Sequence, residues 1–173
     1  MKIRKGLPVG KAGFTLIELL IVIAILGTLA VVILIALNPV QQLARTRDAG
    51  RISGVTQLGH AVEAYATSNN GQYFDDSATW ANALVTAGEI AVVPALITNS
   101  LTGYCTGHYQ GWCYDVNGAN TGATVYAALE SDSQNSKCAS SGGQSYAVYS
   151  TADSRGGIVC SVASPGSNQS FVE

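Results

Sequence analysis

Charge is scarce in this chain of 173 residues: Asp, Glu, Lys and Arg make up 12% of it, against 47% hydrophobic residues. That is about half the usual charged share of a soluble domain and excludes an extended disordered chain. Histidine is limited to His60 and His108, and no spacing joins either to a Ser or Cys as a catalytic triad. They read as solvent-exposed or packing residues. No Cys-x2-Cys pair, no phosphate-binding glycine motif and no repeat of a few tens of residues is present, so zinc ribbons, nucleotide-binding loops and solenoids lack their signatures. Cations almost vanish after residue 68, where only Lys137 and Arg155 face Asp75, Asp76, Glu89, Asp115, Glu130, Asp132, Asp153 and Glu173. Such a surface repels phosphate, and no direct nucleic-acid partner is expected.

What is present is concentrated at the start. Lys2, Arg4, Lys5 and Lys11 precede Gly13 with no acid among them, and loss of that leader takes the formal charge from −2 to −6. From Phe14 to Leu37 the chain is apolar except for Thr15, Glu18, Thr28 and small residues. As a helix this stretch is about 36 Å long, enough to cross a bilayer. A simple secretory signal would be shorter and end in a small-x-small cleavage site. The leader's basic residues mildly favour an N-terminus-in orientation, although Arg45, Arg47 and Arg51 follow closely. Glu18 is the anomaly, since a carboxylate at mid-depth without a partner costs about 3 kcal/mol. One reading places it within a turn of the interface, where it snorkels or protonates.

A second reading comes from the string around it. Gly13-Phe14-Thr15-Leu16-Ile17-Glu18 after a basic leader resembles the processing and methylation signature of type IV pilins and of type II secretion pseudopilins. The resemblance implies that prepilin peptidase cuts between Gly13 and Phe14 and methylates the new N-terminal Phe14. It also implies that Glu18 attracts the free amine of a neighbouring subunit during assembly. Such a pair is strong only in a low dielectric, where either group alone is desolvated.

Asn38-Pro39 should break the helix, because proline removes a backbone donor and clashes with the preceding turn. Beyond it Ile52, Val55, Leu58 or Gly59, Val62 and Tyr65 or Ala66 recur at helical spacing, with Arg45, Arg47, Asp48, Arg51 and Glu63 largely on other faces. This predicts an amphipathic helix ending at Asn69-Asn70-Gly71, with Arg45, Arg47 and Arg51 pairing with charges of neighbouring subunits if the stem is buried in a filament. Arg45-x-Arg47-Asp48, Glu63-Ala64-Tyr65 and Asn70-Gly71-Gln72-Tyr73, followed by Trp80, Leu84, Gly88, Ile90 and Pro94, are similar to the same family. Phe74 departs from it where proline is common, and Pro39 lies about a turn farther from the processed end than usual.

Residues 77–86 read as a short helix with Trp80, Leu84 and Val85 inward. Runs at 111–115, 124–130, 145–150 and 157–162 read as strands of an antiparallel meander, half-buried against the long helix. The expected fold is therefore α+β and pilin-like. Its parts are a leader (1–13), a membrane and assembly helix (14–37), an amphipathic continuation (38–72) and a globular head (73–173).

Four cysteines, Cys105, Cys113, Cys138 and Cys160, fall in a head expected to be extracytoplasmic, so disulfides are expected. Of three connectivities, the sequence-local one pairs Cys105 with Cys113 and Cys138 with Cys160. The alternative is a zinc site from Cys105, His108, Cys113 and Cys138. No cofactor is expected; calcium on loop acids among Asp75, Asp76, Asp132 and Asp153 is the one candidate, without an Asp-x-Asp-x-Asp loop to support it. The expected function is non-enzymatic: a prepilin held in the cytoplasmic membrane with its head outside, trimmed and polymerised with copies of itself into a surface filament. The inner-membrane assembly machinery would be its partner in that step. The alternatives are a pseudopilin of type II secretion and a single-span surface binding protein.

Overall fold

The computed structural model describes residues 13–95, 108–163, 165–166 and 170–172. The chain divides between Pro39 and Val40 into two compact units.

The first unit is helix α1, Leu16–Leu37. Its β-branched sequence is a poor helix former in water. In hydrocarbon a helix is the structure that satisfies every backbone group within one segment. No residue of α1 is buried. The helix ends at Asn38, whose left-handed backbone (φ 41°, ψ 77°) stops the hydrogen-bond ladder, and Pro39 then opens the next helix where its missing N–H is harmless.

The second unit is an α+β fold built on helix α2, Pro39–Ser68. Asn70 and Gly71 follow in left-handed conformations, and the Gly71 N–H donates to the Ala66 carbonyl at 2.7 Å, closing the helix. Val55, Leu58, Ala61 and Val62 form its buried stripe, flanked by Ile52 and Tyr65. Helix α3, Trp80–Ala87, buries Trp80, Ala81 and Leu84 and ends at Gly88 with φ 82°. It starts three residues later than the sequence suggests, and Val85, expected inward, faces out at 36% exposure.

Six strands follow in a meander of sequential antiparallel neighbours: β1 His108–Tyr109, β2 Trp112–Val116, β3 Ala123–Ala128, β4 Gln144–Ser150, β5 Arg155–Ser161 and β6 Phe171–Val172. Gln110 and Gly111, both with positive φ, make the two-residue β1–β2 turn. Alternation along the strands creates two faces. Trp112, Tyr114, Val125, Ala127, Ala147 and Tyr149 join the α2 stripe in the main core. Cys113, Tyr126, Tyr146, Val148 and Val159 form a second cluster on the opposite face. The sheet is thus covered on both sides rather than half-buried. The α2 backbone lies so close to the first face that a Cβ at Gly54 would sit 2.9 Å from Trp112 Cζ2, and one at Gly59 2.7 Å from Tyr149 Cβ.

Between β3 and β4 lie a single helical turn, α4 (Asp132–Asn135), and a 3-10 turn, Ser136–Cys138, in a stretch whose Ser, Asp and Asn residues read as loop. Cys138 is disulfide-bonded to Cys160 of β5, with Cα atoms 5.3 Å apart. Cys138 is therefore no thiolate ligand for zinc. Cys113 is also disulfide-bonded, and Cys105 lies outside the described residues.

The first half of α2 departs most from expectation. Asp48 and Arg51 are buried, and Arg47 and Arg51, expected to pair with a neighbouring subunit, pair within the chain instead. The Asp48 carboxylate accepts from the N–H groups of Glu130 and Ser131, both at 2.9 Å, and from Arg51 at 2.9 Å. Arg51 also meets Glu130 at 3.2 Å, and Arg47 hydrogen-bonds the same Glu130 oxygen. Gln41 Oε1 accepts from the Asp132 N–H at 3.0 Å. Three successive backbone donors leading into α4 are thereby satisfied by side chains of α2, in place of a local cap. Ala44, one turn after Gln41 and one before Asp48, is 4% exposed and lets the backbones approach.

Candidate functional site

The segment on which processing and assembly were expected has no regular secondary structure from Gly13 to Thr15 and is helical from Leu16. Thr15 has β-region dihedrals and is the N-cap of α1. Its Oγ1 accepts from the Glu18 N–H at 3.2 Å and donates to Glu18 Oε2 at 2.7 Å, and its own N–H donates to the same oxygen at 2.8 Å. Thr15 and Glu18 thus form a reciprocal capping box. The carboxylate also lies at the positive end of the helix dipole. One of its oxygens is committed to this cap. Among the described residues the other, Oε1, has no hydrogen-bond partner and is open to a cation from outside.

Phe14 is 87% exposed, and a Cβ at Gly13 would meet nothing within 4 Å among the described residues. The described residues therefore place no steric demand for glycine at position 13. Any such demand belongs to whatever binds the Gly13–Phe14 bond. The T-x-x-E pattern before an apolar run is a sequence signal for the cap, although by composition Thr15 reads only as a polar interruption of that run.

The other candidates are scattered. His60 packs edge-to-face on Tyr149 with ring centres 4.9 Å apart, and its Nδ1 lies 3.2 Å from the Tyr149 hydroxyl. That hydroxyl donates to Glu63 Oε2 at 2.8 Å. Burial, and then the bond to the Glu63 carboxylate, push the Tyr149 phenol up to about 12. His108 is in β1. Asp75 accepts from Asn120 Nδ2 at 2.6 Å, Asp132 opens α4, and Asp153 stands in the β4–β5 turn, so the four calcium candidates do not converge. Burial, reinforced by Asp76, raises the Asp115 carboxyl above the usual range. Among the described residues no group of three His, Cys, Asp or Glu is arranged to hold a metal.

Residues 10–34 match the family model of the prokaryotic N-terminal methylation motif, the prepilin signature of type IV pilins and pseudopilins. No curated protein and no solved structure matches the chain.

Proposed function

We propose that this protein is a structural subunit of a type IV pilus. It is trimmed after Gly13 by prepilin peptidase, N-methylated at Phe14 and polymerised through α1 into a surface filament. The observation that carries the reading is that the methylation motif falls on a helix with no buried residue.

The physical argument begins with that exposure. Sixteen large aliphatic side chains of α1 are exposed. At about 2 kcal/mol each, leaving them in water would cost tens of kcal/mol. Lipid covers them while the helix spans the cytoplasmic membrane. Once the subunit leaves the bilayer, the α1 helices of other copies are the matching cover. In that bundle the Phe14 amine would be desolvated, and Glu18 Oε1 is the acceptor that neutralises it. The head would stand outside the cytoplasmic membrane, where the Cys138–Cys160 disulfide is stable.

Glu18→Leu tests the reading. The variant should accumulate in the membrane at the normal level while filament yield falls at least about tenfold, the equivalent of 1.4 kcal/mol per subunit. Normal filaments containing the variant would refute the charge pairing. Electron microscopy of wild-type cells with antibody to the head separates the alternatives: labelled surface fibres support a pilus, and a processed product with no surface fibre supports a secretion pseudopilus.

A further inference from the structure

At the C-terminal end of α2 the head holds an open cavity of about 500 Å3 that the proposed assembly does not use. Two groups of residues line it. Tyr65, in the last turn of α2, and Phe74, after the turn that closes that helix, supply half-buried aromatic surface. Thr79, Asn82, Ala83, Thr86 and Ala87 follow at steps of three and one, which is one face of α3 with its N-cap. The core takes a different face of α3, through Trp80, Ala81 and Leu84.

The aromatic wall is rigid without a ligand. The Tyr65 and Phe74 rings are stacked, with centres 3.6 Å apart and planes 23° from parallel. The Tyr114 hydroxyl donates to the Phe74 carbonyl at 3.0 Å, and the Tyr73 N–H donates to the Asn120 carbonyl at 2.8 Å, which ties down the segment that carries Phe74. Rings already held in place lose little freedom on binding. The α3 wall offers hydrogen-bonding groups instead. Thr86 Oγ1 donates to the Asn82 carbonyl at 3.0 Å and keeps its lone pairs as acceptors. The Asn82 side-chain amide has no hydrogen-bond partner among the described residues, so it presents both donors and an acceptor. Ala83 and Ala87 are too small to close the space between the walls.

This lining selects a ligand by chemistry. None of its residues is charged, so an ion would lose water here without gaining a counter-charge. An apolar side chain of another protein would suit the rings but would desolvate the amide and the hydroxyls without return. A ligand that suits both walls has polarised C–H groups on one face and hydroxyls around its edge. The C–H groups meet the negative face of an aromatic ring, and the hydroxyls donate to and accept from Asn82 and Thr86. A pyranose sugar has that form, and the volume lies within the roughly 300–1,000 Å3 of small-molecule sites. We infer that this cavity binds a neutral pyranose sugar, with Tyr65 and Phe74 as its aromatic surface and Asn82 as its main hydrogen-bonding residue. The site lies wholly in the head and stands whether or not the chain polymerises.

The test uses the full-length chain in dodecylphosphocholine micelles, which carry no sugar headgroup. Saturation-transfer NMR with glucose, galactose, mannose and N-acetylglucosamine should show transfer to the ring C–H protons of at least one of them, with a Kd on the order of 1–10 mM for so open a site. Asn82→Ala, at an exposed position, should weaken that binding at least about fivefold and leave the melting temperature unchanged. Ala83→Phe should fill the groove and abolish the transfer, while unchanged emission from buried Trp80 and Trp112 reports that the head is still folded. Absence of transfer to all four sugars overturns the site. So does binding that survives both substitutions in the folded chain, or equal transfer to N-acetylneuraminic acid, whose carboxylate finds no partner in this lining. A proline-rich peptide that shifts the Asn82 amide signal while no sugar does would overturn it too, and make the groove a peptide site.

Discussion

Glu18 combines two roles that can be separated by substitution. Its capping role needs a hydrogen-bond acceptor at the third helical position, which Gln supplies; its proposed assembly role needs a negative charge, which Gln lacks. Glu18→Gln should keep the start of α1 ordered yet lose filaments. Thr15→Val should keep the charge and fray the first turn, at a cost of about 1 kcal/mol. Amide exchange over residues 16–19 in detergent micelles reads the first effect, and filament yield the second. Asp48 is the other residue with an outsized role. Removing its carboxylate leaves two buried backbone N–H groups without their acceptor and takes one of the two carboxylates from buried Arg51, so Asp48→Ala should destabilise the folded chain by about 3–5 kcal/mol in urea unfolding. Arg45→Ala, at an exposed site, should change stability by less than about 0.5 kcal/mol. Tyr149 provides a pH test. Its phenol is raised from the ordinary 10 to about 12 in the fold. The unfolded chain therefore releases this proton first, and the stability that Tyr149 contributes is complete below pH 10 and lost between pH 10 and about 12. In Tyr149→Phe that part of the alkaline decline should be missing from thermal melts.

At the scale of elements, α2 lies close against the sheet at Gly54 and Gly59. Gly54→Ala and Gly59→Ala would raise intrinsic helix propensity by about 1 kcal/mol and still destabilise, because the new methyl overlaps the Trp112 or Tyr149 ring. A net loss of about 1–3 kcal/mol is expected from each in chemical denaturation. The Cys138–Cys160 bridge fastens the 3-10 turn to β5 across 22 residues. Replacing both cysteines by alanine should cost about 3 kcal/mol. The elements differ in how far the sequence disclosed them. The apolar helix and the stripe Ile52, Val55, Leu58, Val62 were legible because one period ran through each without interruption. The four main strands were legible from their Tyr, Val and Ile content between turn residues. The two-sided burial of the sheet was not, since Tyr126 and Tyr146 alternate with small residues, and small residues suit either a solvent face or a close-packed one. The α2 contact with residues 130–132 was hidden for another reason. Asp48, Arg51 and Glu130 have the composition of a solvated surface, and their burial depends on pairing across about 80 residues, which no local pattern records. In the candidate site, Gly13, Phe14 and Glu18 stood out by motif, while Thr15 needed the capping rule to be applied inside an apolar run.

For the whole molecule, the proposed life history makes a mass prediction. Assembled material should begin at N-methyl-Phe14, and intact-mass spectrometry that finds residues 1–13 retained in filaments would contradict it. A filament pulled along its length draws on α2 from its N-terminal end. Gln41, Arg47, Asp48 and Arg51 come before Val55, Leu58 and Val62, so tension reaches the polar contacts with residues 130–132 ahead of the apolar core. Hydrogen bonds and ion pairs are short-ranged and directional, so they resist the first fraction of an ångström of sliding more stiffly than an oily surface does. In the proposed filament the buried charges of the stem would thereby act as a strain relief, taking load before the hydrophobic packing of the head is sheared.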